Sequence, residues 1–205
     1  MAFYRLVTVL VLILNTGGSL EAEVRSSIIG GQDAQKGSWP WMAHLNITSE
    51  DKNRWRCGGT ILSEQWVLTA ANCFDRRCPV TLPSIDDTFG SSSECWITGW
   101  GNIGTNVPLP NPETLQQLKI PIISQSVCKA KYPELTDDML CAGSQDGGMD
   151  ACKGDYGGPL VCRKGSGFVQ AGIMSYGSPD GCGLPGRPGV YTKVSKYLRF
   201  INDYI

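Results

Sequence analysis

The chain has 205 residues, and its 25 glycines and 12 prolines exceed the roughly 12 per cent that these two residues make up in ordinary domains, which signals many turns and not a linker or a collagen repeat. Apolar residues at 41 per cent and charged residues at 18 per cent suffice for a core and exclude a disordered polyelectrolyte. Eighteen basic against 19 acidic residues leave a net charge of −1, which gives no field to attract phosphate backbones or anionic lipid, so nucleic acid is not an expected partner.

In chain order, Met1 to Arg5 is a basic start, Leu6 to Leu14 an apolar run, and Asn15 to Ser19 a string of small residues. This pattern predicts a signal peptide over residues 1–18, with its end between 18 and 22, then a propeptide-like segment over 19–27 and one domain over 28–205. A membrane anchor would need about 18 consecutive apolar residues, so no membrane span is expected and the chain reads as secreted and extracellular. In that compartment nine cysteines predict four disulfides and one residual thiol. Cys73 and Cys78 could pass for half a zinc site, but no second pair completes it, and neither a metal nor a cofactor is expected. Asn46-Ile-Thr48 is a glycosylation sequon, so Asn46 is a candidate sugar carrier.

Short apolar or alternating runs bounded by Gly, Pro, Asn and Ser predict strands at 41–48, 59–62, 66–70, 95–101, 118–123, 159–163, 168–176 and 189–194. Lys164-Gly-Ser-Gly167 reads as a hairpin loop, and the charged stretch from Glu50 to Arg54 as a solvated loop. At the end, Val194, Leu198, Ile201 and Ile205 share one face of a helix, which predicts a docked terminal helix. The expected class is all-β with a C-terminal helix. His44, the single histidine, falls in a strand-like segment and reads as an ordinary strand side chain.

Seven motifs stand in a fixed order: Ile28-Ile-Gly-Gly31, Ser38-Trp-Pro-Trp41, Cys57-Gly-Gly-Thr-Ile-Leu62, Trp66-Val-Leu-Thr-Ala-Ala-Asn-Cys73, Cys95-Trp-Ile-Thr-Gly-Trp-Gly101, Asp150 to Leu160, and Pro188-Gly-Val-Tyr191. Together they resemble the trypsin-like (chymotrypsin-fold) serine proteases, closest to the tryptase and marapsin group. The resemblance implies two packed six-stranded β-barrels with the active site between them. It also implies the disulfides Cys57–Cys73, Cys95–Cys162, Cys128–Cys141 and Cys152–Cys182, leaving Cys78 unpaired and able to link two chains.

The departures bear on chemistry. In that family a serine attacks, a histidine takes its proton, and a buried aspartate orients the histidine. Where the family reads Ala-Ala-His-Cys this chain has Ala70-Ala71-Asn72-Cys73, and an amide takes up no proton near neutral pH. Where it reads Gly-Asp-Ser-Gly-Gly this chain has Gly154-Asp155-Tyr156-Gly157-Gly158, and a phenol without an adjacent base is a weak nucleophile. Between Cys73 and Cys95 no apolar strand carries an aspartate, because Asp75, Asp86 and Asp87 sit in turn-like contexts. A block is expected to be missing near residues 75–78, leaving the first barrel incomplete with open strand edges.

Other parts of the family pattern are kept. The resemblance makes Asp150 the carboxylate that selects Arg or Lys, Gly177 and Gly189 the small residues that keep its pocket open, and Gly154 an oxyanion-hole donor. Asp155 would pair with a new amine at Ile28 after activation, but Arg25 is followed by Ser26 and Ser27, so a cut at Arg25 would leave that amine blocked. The expected reading is a secreted protease homologue without peptidase activity that binds Arg- or Lys-containing peptides, inhibitors or proteases. Against a working pocket stands the reading of Asp150 as a relic with no ligand, and the alternatives for the whole chain are a true endopeptidase cutting after Arg or Lys or an unstable shortened product without function.

Overall fold

The computed structural model describes residues 28–48, 52–74 and 89–204. The segments read as signal peptide and propeptide, Asp75, Asp86, Asp87 and Cys78 lie outside the described residues.

Eleven strands are described: β1 (Gln32–Asp33), β2 (Met42–Thr48), β3 (Arg54–Ile61), β4 (Val67–Leu68), β5 (Cys95–Gly99), β6 (Gln116–Lys119), β7 (Ile122–Ile123), β8 (Met139–Ala142), β9 (Pro159–Lys164), β10 (Gly167–Tyr176) and β11 (Gly189–Lys193). Eight of them form one sheet in the order β1-β6-β5-β9-β10-β11-β8-β7, and β2-β3-β4 form a second. In the larger sheet β6 and β7 are joined only by Ile120 and Pro121, yet they stand near opposite ends of the strand order. A link that short cannot cross an open sheet, so the sheet curls round on itself as a barrel.

Side chains from all round that sheet fill the barrel: Ile97, Leu118, Ile120, Leu140, Leu160, Met174 and Tyr191 are all buried in one cluster. The fold is the all-β, trypsin-like arrangement that the motifs imply, with three strands described where the resemblance implies a six-stranded first barrel.

The strand expectations hold in place and shift in extent. β3 begins at Arg54, earlier than the apolar pattern suggests, because Arg54, Arg56 and Trp55 pair with Thr48, Asn46 and Ile47 of β2. The run 118–123 splits into β6 and β7, since Pro121 has no N–H for a ladder. Lys164 and Gly167 pair directly, so the predicted hairpin has the two-residue turn Gly165-Ser166, with Gly165 at φ +59°. Three short elements escaped the sequence patterns: β1, β8 and the helix α1 (Gln125–Lys129).

The predicted terminal helix is a 3-10 turn at Val194–Lys196 followed by α2 (Leu198–Asn202). Tyr197 between them, which the apolar periodicity left out, docks this end by donating its hydroxyl to Asp138 Oδ2 at 3.0 Å.

Four disulfides join Cys57 to Cys73, Cys95 to Cys162, Cys128 to Cys141 and Cys152 to Cys182, the pairing that the resemblance implies. They fit an oxidising, extracellular environment. Among the described residues no helix is long and apolar enough to cross a membrane.

Candidate functional site

The site lies where the small sheet meets the barrel. Backbone approaches backbone there: a Cβ on Gly58 would come within 2.8 Å of Gly158 Cα, and one on Gly157 within 2.2 Å of Thr69 Oγ1. Gly58 N–H donates to the carbonyl of Tyr156 at 2.8 Å, and Thr69 Oγ1 donates to the carbonyl of Gly58 at 2.7 Å. The motif glycines therefore bring β3 onto the turn that carries Tyr156. Beside it opens a cavity of about 1140 Å³ lined by Trp55, Cys57, Phe74, Trp100, Lys153, Gly154 and Tyr156, among others.

Asn72 falls in the 3-10 turn Ala71–Cys73. The sulfur of the next residue, Cys73, is 3.6 Å from the Tyr156 carbonyl oxygen, so the backbone brings the two altered motifs together. Tyr156 is half-buried against the barrel core, and burial pushes its phenol above the ordinary value, with Asp150 and Asp155 adding to the shift. His44 lies in β2 and stacks on Trp100, a cavity-lining residue, at 5.3 Å between ring centres. Burial first, and then the Arg56 charge, lower its pKa.

Asp150 is almost wholly buried, and its backbone forms a bridge to Ile29, with Ile29 N–H donating to its carbonyl at 3.0 Å. Gly183 N–H donates to Asp150 Oδ2 at 2.9 Å. Oδ1 has no hydrogen-bond partner among the described residues, nor does the buried Tyr191 hydroxyl. Burial raises the Asp150 carboxyl to about 6. Gly177 and Gly189 both border that carboxylate: a Cβ on Gly189 would stand 2.7 Å from Oδ1, and one on Gly177 3.9 Å from Oδ2. The structure thus brings together the three residues that the sequence pattern grouped. Tyr191 at their side was named there only as part of a motif.

Asp155 is fully buried, and its carboxylate accepts from Gly101 N–H at 2.8 Å and Cys152 N–H at 3.0 Å. Burial raises its carboxyl to about 7 even so. Ile28 is itself fully buried in the barrel cluster, so the Ile-Ile-Gly-Gly segment is docked although residues precede it in the chain. Gly154 lines the cavity at φ +102°, with its Cβ direction 2.8 Å from Gly101 Cα, a place that only glycine fits. Asn46 is exposed in β2, opposite Arg56.

Comparison with known proteins agrees with this geometry. The family model described as Trypsin matches the chain over residues 28–81 and again over 75–201. A protein named Tryptase from Mus musculus is 34% identical over 254 aligned positions, covering 90% of this chain and 90% of that protein. Serine protease 41 from Homo sapiens is 31% identical over 259 positions, covering 90% of this chain and 80% of its own length. Both alignments run longer than the 205 residues of this chain, so each relative has positions without a counterpart here. On the family match from residue 28 to 201 and on these two relatives, the chain belongs to the trypsin family of serine proteases.

Proposed function

We propose that this family member is a secreted protease homologue that binds Arg- or Lys-bearing peptides, inhibitors or proteases and does not cleave them. The observation that carries the reading is Tyr156 on the turn held by Gly58, where the family pattern has its serine. A buried phenol with a raised pKa supplies almost no nucleophilic anion near neutral pH. Asn72 supplies no base, and His44 lies away from that turn, in β2, with its ring stacked on Trp100. The signal peptide over 1–18, the propeptide-like segment over 19–27, a domain over 28–205 shortened near 75–78, and a sugar on Asn46 belong to the same reading.

Binding is supported by Asp150 Oδ1, a buried carboxylate oxygen beside Gly189 without a hydrogen-bond partner among the described residues, which a guanidinium or ammonium would complete. Ligand binding would draw the Asp150 carboxyl down from about 6, so affinity falls as pH drops below that value. Purified protein is to be tested for benzamidine binding by calorimetry and for turnover of an arginine ester. Saturable binding without turnover is the expected result, and turnover that tracks the protein through purification would overturn it.

A second reading, an endopeptidase cutting after Arg or Lys, draws support from the printed names of the relatives, a tryptase and a serine protease. The same ester assay separates the two.

A further inference from the structure

Tyr156 borders two spaces. On one side it lines the cavity between β3 and the barrel, together with Trp55, Trp100 and Lys153. Asp150, Gly177, Gly189 and Tyr191 do not line that cavity. On its other side Tyr156 packs against the barrel cluster, to which Ala151, Met174 and Tyr191 belong.

Backbone bonds fasten the turn of Tyr156 to the same wall. Gly157 N–H donates to the Met174 carbonyl at 2.9 Å, and Met174 N–H donates to the Gly158 carbonyl at 2.9 Å. Met174 in β10 stands opposite Tyr191 in β11. Tyr191 in turn shares a corner with the pocket acid, since a Cβ on Gly189 would meet Asp150 Oδ1 at 2.7 Å, Tyr191 Cε2 at 3.2 Å and the Tyr191 hydroxyl at 3.4 Å. The phenol of Tyr156 feels that corner: after burial, the Asp150 charge is the next cause that raises its pKa, and Tyr156 adds to the shift of Tyr191.

Behind the ring, Asp150 is only 1% exposed, and neither its Oδ1 nor the Tyr191 hydroxyl has a hydrogen-bond partner among the described residues. Leaving buried polar atoms unpaired is costly, so a cation that reached them would be held. A serine on this turn would end at its hydroxymethyl group, whereas the phenol carries a whole ring further.

We propose that Tyr156 is a built-in stopper of the Asp150 pocket, so that a basic side chain enters only when this ring swings out into the cleft. The inference rests on the reading of Asp150 as a cation site and adds how that site is controlled. Among the described residues no hydrogen bond holds the Tyr156 hydroxyl, so ring packing retains the stopper and no polar latch has to break. The cavity of about 1140 Å³ that Trp55 and Trp100 line gives the displaced ring a place to go. A ligand that binds only the open form draws the population towards it, and its apparent affinity is reduced by the fraction of molecules that stand open.

The test compares benzamidine binding by the full wild-type chain, Tyr156→Ala and Tyr156→Phe in calorimetry, with near-ultraviolet circular dichroism to verify the barrel of each. Removing the ring should tighten binding by about 10-fold or more, because closed molecules no longer dilute the competent ones. Tyr156→Phe keeps the ring and should gain far less. A second measurement needs no variant: in the wild type, saturating benzamidine should speed nitration of Tyr156 by tetranitromethane, read by mass spectrometry, as the phenol moves into water. Equal affinity of the wild type and Tyr156→Ala overturns the stopper and leaves the cation site standing, and an equal gain in Tyr156→Phe overturns it too. Absence of binding by all three chains overturns both the stopper and the site. Slower nitration on adding benzamidine would show a ring covered by the ligand and not displaced by it, which also overturns the stopper.

Discussion

Gly58 in β3 donates its N–H to the carbonyl of Tyr156 at 2.8 Å, and no side chain fits between the two strands of backbone that this bond joins. The Gly58 Cβ direction runs into Gly158 Cα at 2.8 Å and Gly158 N at 2.9 Å, both main-chain atoms that cannot rotate away. Gly58→Ala is therefore expected to force the small sheet off the barrel and to destabilise the protein by about 1–3 kcal/mol. Urea unfolding followed by tryptophan fluorescence measures it, and an unchanged midpoint would show that the contact is not needed.

Restoring the two altered residues should not restore an enzyme. The double variant Asn72→His with Tyr156→Ser supplies a base and a hydroxyl, but on the proposed reading it lacks the carboxylate that orients the imidazole, and loss of that group alone costs about 10⁴ in kcat in the worked case of the triad. Turnover of an arginine amide is expected to stay at background. Readily measurable turnover would show that an acidic residue does reach the histidine.

Asp155 and Asp150 make stability depend on pH in an uncommon direction. Their carboxyls stand at about 7 and about 6 in the fold, chiefly through burial, against about 3.9 in an unfolded chain. The fold thus favours the protonated acids. Their contribution is complete below about pH 4 and is lost as pH rises through 6 and 7, at about 1.4 kcal/mol per unit for each group while it lasts. Unfolding curves of the wild type and Asp155→Asn between pH 4 and 8 isolate the larger part. The variant's curve should fall less across that range, and parallel curves would contradict the assigned shift.

The bond between Cys152 and Cys182 holds the loop whose Gly183 N–H meets Asp150 Oδ2. Replacing both cysteines by alanine removes a cross-link over 30 residues and should cost about 2–5 kcal/mol. It should also loosen benzamidine more than it loosens the barrel. Calorimetry beside a thermal melt compares the two, and full retention of affinity would mean that the loop is held by other contacts.

Most of the fold could be read from residues whose role is geometric. The cysteine pairs that the resemblance implies and the glycines around Gly58 and Gly157 are fixed by covalent reach or backbone approach, and such constraints tie residue type to place. Gly189 stands beside Asp150 for the same reason, since a Cβ there would lie 2.7 Å from Oδ1, whereas at Gly177 it would make an ordinary contact at 3.9 Å. What stayed hidden depends on partners distant in sequence. Arg54 and Arg56 form a strand because β2 lies alongside, and Tyr197 anchors the C-terminal end because Asp138 receives its hydroxyl. Neither relation leaves a periodic mark in the local sequence. The docking of Ile28 leaves no local mark either, because its side chain is buried by the barrel cluster whatever stands before it in the chain.

Three of the four cross-links, at Cys95–Cys162, Cys128–Cys141 and Cys152–Cys182, begin and end within the larger unit, and Cys57–Cys73 alone belongs to the smaller one. Resilience is therefore distributed unevenly. Under heat or tension the lesser half gives way first, through local opening at an edge. The remaining body, cross-linked three times, keeps its shape after β2, β3 and β4 have opened, because Ile28 and β1 at the front of the chain stay packed with it.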